Sequence, residues 1–259
     1  MHYASLASGS KGNCHALGDG ERILLLDAGI SLRRIRLALE HLDWDHGRVQ
    51  ALALTHEHSD HVGSVDVILR RTDWTILATP ETKAAVEACR GVEIPGNRWI
   101  PLRAGRPTNW EGWRLLPFSL PHDAADPVAF RVEVGGLQAA VVTDLGHPTA
   151  LVADHLRDLD LLVLEANHDL EMLREGPYPP ALKARILSRV GHLSNASMAE
   201  LLSQALGPRL RHLVLAHLSE QNNDPALARL AAEEALGPTP GCGLSVACQR
   251  EPQALSLAS

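Results

Sequence analysis

The chain reads as an α/β protein built in layers, and three observations carry that reading. Short apolar runs alternate with segments whose apolar residues recur at helical spacing. Gly-rich turns join the early runs, and Gly135-Gly136 joins two later ones in the manner of a hairpin. Several runs end abruptly in His or Asp. With 45% hydrophobic residues among 259, and with no internal repeat or linker-like tract, one domain over 1–259 is expected.

The elements follow in order. Tyr3–Ala7, Cys14–Gly18 and Arg22–Asp27 read as short strands, and Leu32–Leu42 as a helix with Leu32, Ile35, Leu39 and Leu42 on one face. Val49–Leu54 is a buried strand. The turn after it should continue into a helix over His61–Arg70, and Glu81–Ala88 should form another behind Pro80. A strand-rich block runs from Arg98 to Val142, including Val128–Val134 and Leu137–Val142. Then come a helix Thr149–Arg157, a buried strand Leu159–Glu165, and helices Pro180–Val190 and Ala196–Leu206. Strand Leu210–Ala216 and a helix from Pro225 to Leu236 complete the pattern.

The most informative segment is Leu54-Thr55-His56-Glu57-His58-Ser59-Asp60-His61, directly after an apolar run. A strand fixes the position of the first donor, and the turn bends the others around a common point, which is what a metal site needs. His56 and His58, two apart, can point the same way and grip one ion. Asp60 and His61, further round, can grip a second.

Composition narrows the class. No apolar stretch approaches the roughly 20 residues that span a bilayer, and Met1–Ala7 shows no basic head or cleavage site, so neither a membrane partner nor a signal peptide is expected. Cys14, Cys89, Cys242 and Cys248 lack metal-ligand spacing and read as free thiols of a cytoplasmic protein, with Cys242–Cys248 the one pairing worth keeping open. A net charge of −7 argues against a surface coated in positive charge. The local basic runs Arg33-Arg34-x-Arg36, Arg70-Arg71 and Lys183-x-Arg185 with Arg189 read as solvated helix faces. Among them, Arg33, Arg34, Lys183 and Arg185 form a candidate approach for a nucleic-acid backbone.

The His-x-His-x-Asp-His turn resembles the signature of the metallo-β-lactamase superfamily. The further motifs arrive in order, each after an apolar run: Asp27 after Ile23–Leu26, His122 after Trp113–Leu120, Asp144 after Gln138–Thr143, and His217 after His212–Ala216. The resemblance covers about Ser5 to Asn223 and implies a four-layer αββα sandwich. It also implies that His56, His58 and His122 hold one divalent ion and Asp60, His61 and His217 another, with Asp144 bridging them. Zinc, manganese and iron all remain open. Asp27 would orient a ligand His, and His168 would stand beside the site.

Gly191-His192-Leu193-Ser194-Asn195 resembles the late His motif of ribonuclease Z-type phosphodiesterases, where such a His serves as proton donor or charge stabiliser. With the loop Ser8–Asn13, Pro121–Ala124, Glu165–Asp169 and Ala216–Asn223, it makes the chain similar to the YycJ (WalJ)-like branch of bacterial metallo-hydrolases. The resemblance implies a metal-dependent DNA exonuclease linked to repair. Asp60 and His192 are then the candidate catalytic residues, and Ser8, Ser10, Asn13 and Asn195 the candidate substrate contacts. The Ser8–Asn13 loop could cradle a phosphate with its N–H groups. The alternative is a hydrolase of a small cyclic or nucleotide phosphodiester, or of a thioester or lactam. A metal-bearing binding protein is a third reading that the intact donor set disfavours. Oligomeric state, digestion polarity and DNA against RNA stay open at this point.

Overall fold

The computed structural model describes residues 1–205, 207–237 and 241–257. Two seven-stranded mixed sheets pack face to face. The first runs β14 (Gln253–Ser256), β1 (His2–Ala7), β2 (Cys14–Gly18), β3 (Ile23–Leu26), β4 (Val49–Ala53), β5 (Thr75–Ala78) and β6 (Trp99–Pro101). The second runs β13 (Gly243–Val246), β12 (His212–Ala216), β11 (Leu161–Glu165), β10 (Leu137–Val142), β9 (Val128–Val134), β8 (Trp113–Ser119) and β7 (Thr108–Trp110). In each sheet an antiparallel half gives way to a parallel one. β3 to β6 are parallel in the first, and β10 to β13 in the second.

Alternation along the strands builds three cores. In β3, Leu24 and Leu26 face the other sheet, while Ile23 and Leu25 face the outer helices. β10 repeats this, with Ala139 and Val141 turned inward and Ala140 and Val142 outward. Burial on both faces explains why these strands read as continuous apolar runs. Outside the first sheet lie α1 (Leu32–His41), α2 (Ser59–Val62), α3 (Val65–Arg71) and α4 (Pro80–Arg90), packed through Ile35, Leu39, Val62, Ile68 and Val86. Outside the second, α5 (Ala150–His155), α8 (Asn195–Ala205) and α9 (Pro225–Leu236) pack through Val152, Leu201, Leu202 and Ala228. α6 (Leu170–Glu175) and α7 (Pro180–Ile186) link β11 to α8. The αββα expectation is met.

Local chemistry sets most boundaries. Ser31, Thr79, Thr149 and Asp224 cap α1, α4, α5 and α9 through side-chain oxygens, and Gly91 closes α4 at φ 62°. Two expectations need correction. The single helix over His61–Arg70 is two, because Ser64 spends its N–H on Ala28 O and its hydroxyl on Ile30 O. The helix expected to reach Val190 stops at Ile186, where His192 N donates to Ile186 O and the chain folds back. Strands β5, β13 and β14 and helix α6 had no counterpart in the sequence reading. The expected end of α8, Leu206, lies outside the described residues.

Candidate metal centre

Strand ends supply the donors. Asp27 follows β3, Asp144 lies two residues past β10, Glu165 ends β11 and His217 follows β12. Asp27, Asp144 and His217 all take left-handed backbone, at φ 61°, 61° and 56°. Non-glycine residues pay for that conformation, and here it turns the chain sharply at the strand end. After β4 come His56 and His58, and α2 adds Asp60 and His61. The turn is clamped from below by Ala28 N bonding His61 O and Asn13 N bonding Asp60 O, both at 2.7 Å. Gly29 permits that approach, since a Cβ there would lie 1.6 Å from Asp60 O.

The imidazoles are oriented by what their outer nitrogens bond. His61 Nδ1 donates to Asp27 Oδ2 at 2.7 Å, His217 Nδ1 to Glu165 Oε1 at 2.8 Å, and His122 Nδ1 to Gly191 O at 3.1 Å. Thr55 Oγ1 donates to Asp27 Oδ2 and so offers its lone pairs to His56 Nδ1, 2.9 Å away. With Nδ1 spent on an outer partner in all four, each Nε2 is the ring nitrogen left for the centre, where its lone pair becomes available to a cation that displaces any proton there. His56 Nε2 and His217 Nε2 are buried with no hydrogen-bond partner. Asp144 Oδ2, also without one, lies 2.9 Å from His61 Nε2. A ring nitrogen and a carboxylate oxygen this close share either the proton of the imidazolium or a cation in its place.

Donor atoms fall into overlapping groups within 4.8 Å: His56, His58 and His122; Asp60, His61 and His217; and His56, His61 and Asp144. Asp144 thus stands between the first two groups, with Oδ1 3.7 Å from His122 Nε2 and 3.4 Å from His217 Nδ1. Asp27, Asp144 and Glu165 are buried, and their ion pairs among the described residues are all with histidines. Buried carboxylates without Lys or Arg need another positive charge, which divalent cations would supply.

Titration follows the same geometry. Burial, helped by the His61 charge, drives His56 well below the usual imidazole range, and burial lowers His122 too. Burial also pulls on His61 and His217, but Asp144 and the neighbouring carboxylates outweigh it and hold both well above that range. Asp144 stays well below the usual carboxylate range, because His217 and His61 overcome the penalty of burial.

A cavity of about 260 Å³ opens over these groups. At its wall stands His192, whose Nδ1 donates to Glu165 Oε1 at 2.9 Å and lies 3.4 Å from Asp144 Oδ1. Glu165 is fully buried and takes four bonds: Oε1 from His192 and His217, Oε2 from the N–H groups of Leu145 and Leu193.

The beta-lactamase superfamily domain matches residues 22–218, which hold every donor named above. The chain belongs to the metallo-β-lactamase superfamily. It is 34% identical to exodeoxyribonuclease YycJ of Bacillus anthracis over 236 residues, 91% of this chain and 89% of that protein. It is equally similar to exodeoxyribonuclease WalJ of Streptococcus pneumoniae (strain D39), over 88% of this chain and 85% of the relative. Among solved structures, Zn²⁺-bound PqqB from Methylobacterium extorquens shares the fold at a TM-score of 0.73 and 20% identity, covering 99% of this chain and 100% of that one. The protein is a metal-dependent hydrolase of this superfamily, with the buried His and Asp clusters typical of its dinuclear sites.

The structure brings most of the expected site residues together. His56, His58, Asp60, His61, His122, Asp144 and His217 converge, Asp27 holds His61, and His192 faces the cavity. Of the expected substrate contacts, Ser10 lines the cavity. Ser8 and Asn195 are buried and bonded to His217 N and to Asn223, while buried Asn13 accepts from Gly9 N and sets its Nδ2 3.1 Å from His61 Nε2 and 3.4 Å from Asp60 Oδ2. His168 is buried with both ring nitrogens unbonded. Of the four-residue basic approach, only Arg185 lines this cavity. Arg185 reaches the cavity but is bonded to Asp123, Lys183 bonds Arg174 O, Arg34 bonds Gln249 O, and Arg33 lines a separate groove with Arg36 and Arg71. Glu165 had no individual role in the sequence reading. Its signal was an acid ending an otherwise apolar run, the same sign that marked Asp27 and Asp144.

Proposed function

We propose that this hydrolase is a two-metal phosphodiesterase acting on DNA as an exonuclease, with a role in DNA repair. The observation that carries the reading is Asp144 standing between two donor sets, with His192, bonded to Glu165, at their margin. His56, His58 and His122 would hold one divalent cation and Asp60, His61 and His217 the other, with Asp144 reaching both. Zinc, manganese and iron all suit such donors. Bound, two such ions lower the pKa of a water to about 7 and stabilise charge on the attacking and leaving oxygens of an in-line displacement.

His192 supplies what the cations do not. Glu165 accepts from Nδ1 and fixes the ring, which leaves Nε2 as the atom that would pass a proton to the leaving oxygen as the P–O bond breaks. The names of the two exodeoxyribonuclease relatives support DNA as the substrate. All four thiols are free in the fold, which supports a reducing compartment, the cytoplasm. The cavity is smaller than the ~300–1,000 Å³ of drug-sized ligand pockets. Its size favours a second reading, a small cyclic or nucleotide phosphodiester.

The test is a substrate panel with Mn²⁺ and with Zn²⁺: 5′-phosphorylated and unphosphorylated DNA, RNA, cyclic nucleotides and a chromogenic phosphodiester. Stepwise release of mononucleotides from DNA ends is expected. Turnover of cyclic nucleotides with no action on DNA would replace this reading by the second.

A further inference from the structure

The cavity over the donor sets has one wall that the phosphodiester chemistry does not use. Tyr178, Leu182 and Ile186 line it; Leu182 and Ile186, four apart, share one face of α7, and Tyr178 stands in the bend leading into it. They share the cavity with Asp144 and His192. The other tyrosine, Tyr3, is buried in the core, whereas Tyr178 is half-exposed and its hydroxyl makes no hydrogen bond among the described residues. Tyr178 thus lines the cavity with a hydroxyl that no neighbour among the described residues holds.

The ring is also held in place. It sits in Gly176-Pro177-Tyr178-Pro179-Pro180, where three prolines restrict φ. Gly176 packs so closely on the segment after β12 that a Cβ there would lie 2.1 Å from Asn222 Oδ1. At the far end of α7, Arg185 bonds Asp123, next to His122, through Nε and Nη2 at 2.7 and 3.1 Å. The apolar wall is thus tied at both ends to loops that carry donors.

We propose that Tyr178, backed by Leu182 and Ile186, is a stacking platform for the nucleobase next to the phosphate being cleaved. The proposal rests on the phosphodiesterase reading and adds the subsite for the base. A nucleotide bound with its phosphate at the donors needs a flat apolar partner for its ring, and a cavity of about 260 Å³ suits one nucleotide unit rather than a duplex. Stacking on an aromatic side chain tolerates all four bases, as an exonuclease that removes each nucleotide in turn requires.

The test is binding of 2-aminopurine deoxyriboside 5′-monophosphate to the metal-loaded protein, read as quenching of its fluorescence. Quenching is expected in wild type and in Tyr178→Phe. Tyr178→Ala should lose the quench and bind about 5- to 150-fold more weakly, with KM on single-stranded DNA raised by a similar factor. Equal affinity and quenching in wild type and Tyr178→Ala would overturn the platform, as would wild-type cleavage of DNA with no quenching at all. A wild type that binds and quenches the nucleotide through Tyr178 but cuts no DNA would sink the nuclease reading alone.

Discussion

Glu165→Gln should reverse the tautomers of two imidazoles while leaving the fold in place. In the wild type, Oε2 accepts from the main-chain N–H groups of Leu145 and Leu193, and Oε1 accepts from His192 Nδ1 and His217 Nδ1. A glutamine has one oxygen and one NH₂ for these two places. The main-chain donors cannot become acceptors, so the amide oxygen must face them and the NH₂ must face the histidines. An imidazole can adapt by releasing Nδ1–H and accepting there, which moves its proton to Nε2. For His217 that is the atom turned toward Asp60, 3.7 Å away, where a cation would bind. Losing an outer partner of this kind typically costs 10–100-fold in metal affinity, or about 1.4–2.7 kcal/mol. Long-range ¹⁵N–¹H spectra of the metal-free protein, recorded at a pH high enough that His217 has lost its second proton, report the tautomers, and titration against a chromogenic chelator reports affinity. Retained Nδ1–H on both rings together with unchanged affinity would refute the reasoning. Glu165→Ala behaves differently, because it strands two buried N–H groups at about 1–3 kcal/mol each and should lower the melting temperature as well.

Three further outcomes follow from the same geometry. His192→Ala should keep both metals and lose ~10²–10⁴ in rate on DNA, but much less on a p-nitrophenyl diester, whose leaving group needs little protonation; equal losses on the two substrates would point to positioning instead. Asp144→Ala should lose more metal than alanine at any other donor, and elemental analysis finding one ion or none in replete wild type would end the dinuclear reading. Burial lowers His168 to about 4 from its ordinary ~6.5, so between those values the unfolded chain binds the extra proton. Its share of stability is whole above about pH 6.5 and falls by up to about 3 kcal/mol as pH drops toward 4. Urea unfolding of His168→Gln should therefore be less pH-dependent than wild type across that window, and parallel curves would contradict the assignment.

What the sequence disclosed and what it hid divide along physical lines. The His56–His61 turn was readable because its donors are neighbours in the chain, and Asp144 and His217 because each follows a doubly buried apolar run. The Gly63–Ser64 break was not, since it comes from Ser64 bonding Ala28 and Ile30 more than thirty residues away. Likewise α7 ends at Ile186 because Gly191 folds back on it; a Cβ at Gly191 would lie 2.2 Å from Ile186 O. Ser8 and Asn13 looked like substrate-facing loop residues by type, yet packing spends the Ser8 hydroxyl on His217 N and sets the Asn13 amide between Gly9 N and the pair Asp60 and His61. Helical periodicity placed Arg33 and Arg34 on a polar face, but it carried no information on how far that face stands from the strand ends.

The placement of the donors also ties the site to the core between the sheets. His56 and His58 leave the first sheet and meet His122 from the second; Asp60 and His61 leave the first and meet His217 from the second. Neither set closes within one sheet. Their spacing is set by the apolar layer between the sheets, where Tyr3, Leu24, Trp113 and Phe130 are packed together. Close packing transmits changes of volume at such a layer, so shifts between the sheets would move both sets at once. Left-handed backbone at Asp27, Asp144 and His217 costs stability that glycine would not, of order 1–3 kcal/mol each. At these three strand ends the cost is offset by function: Asp144 and His217 stand among the donor atoms, and Asp27 holds His61.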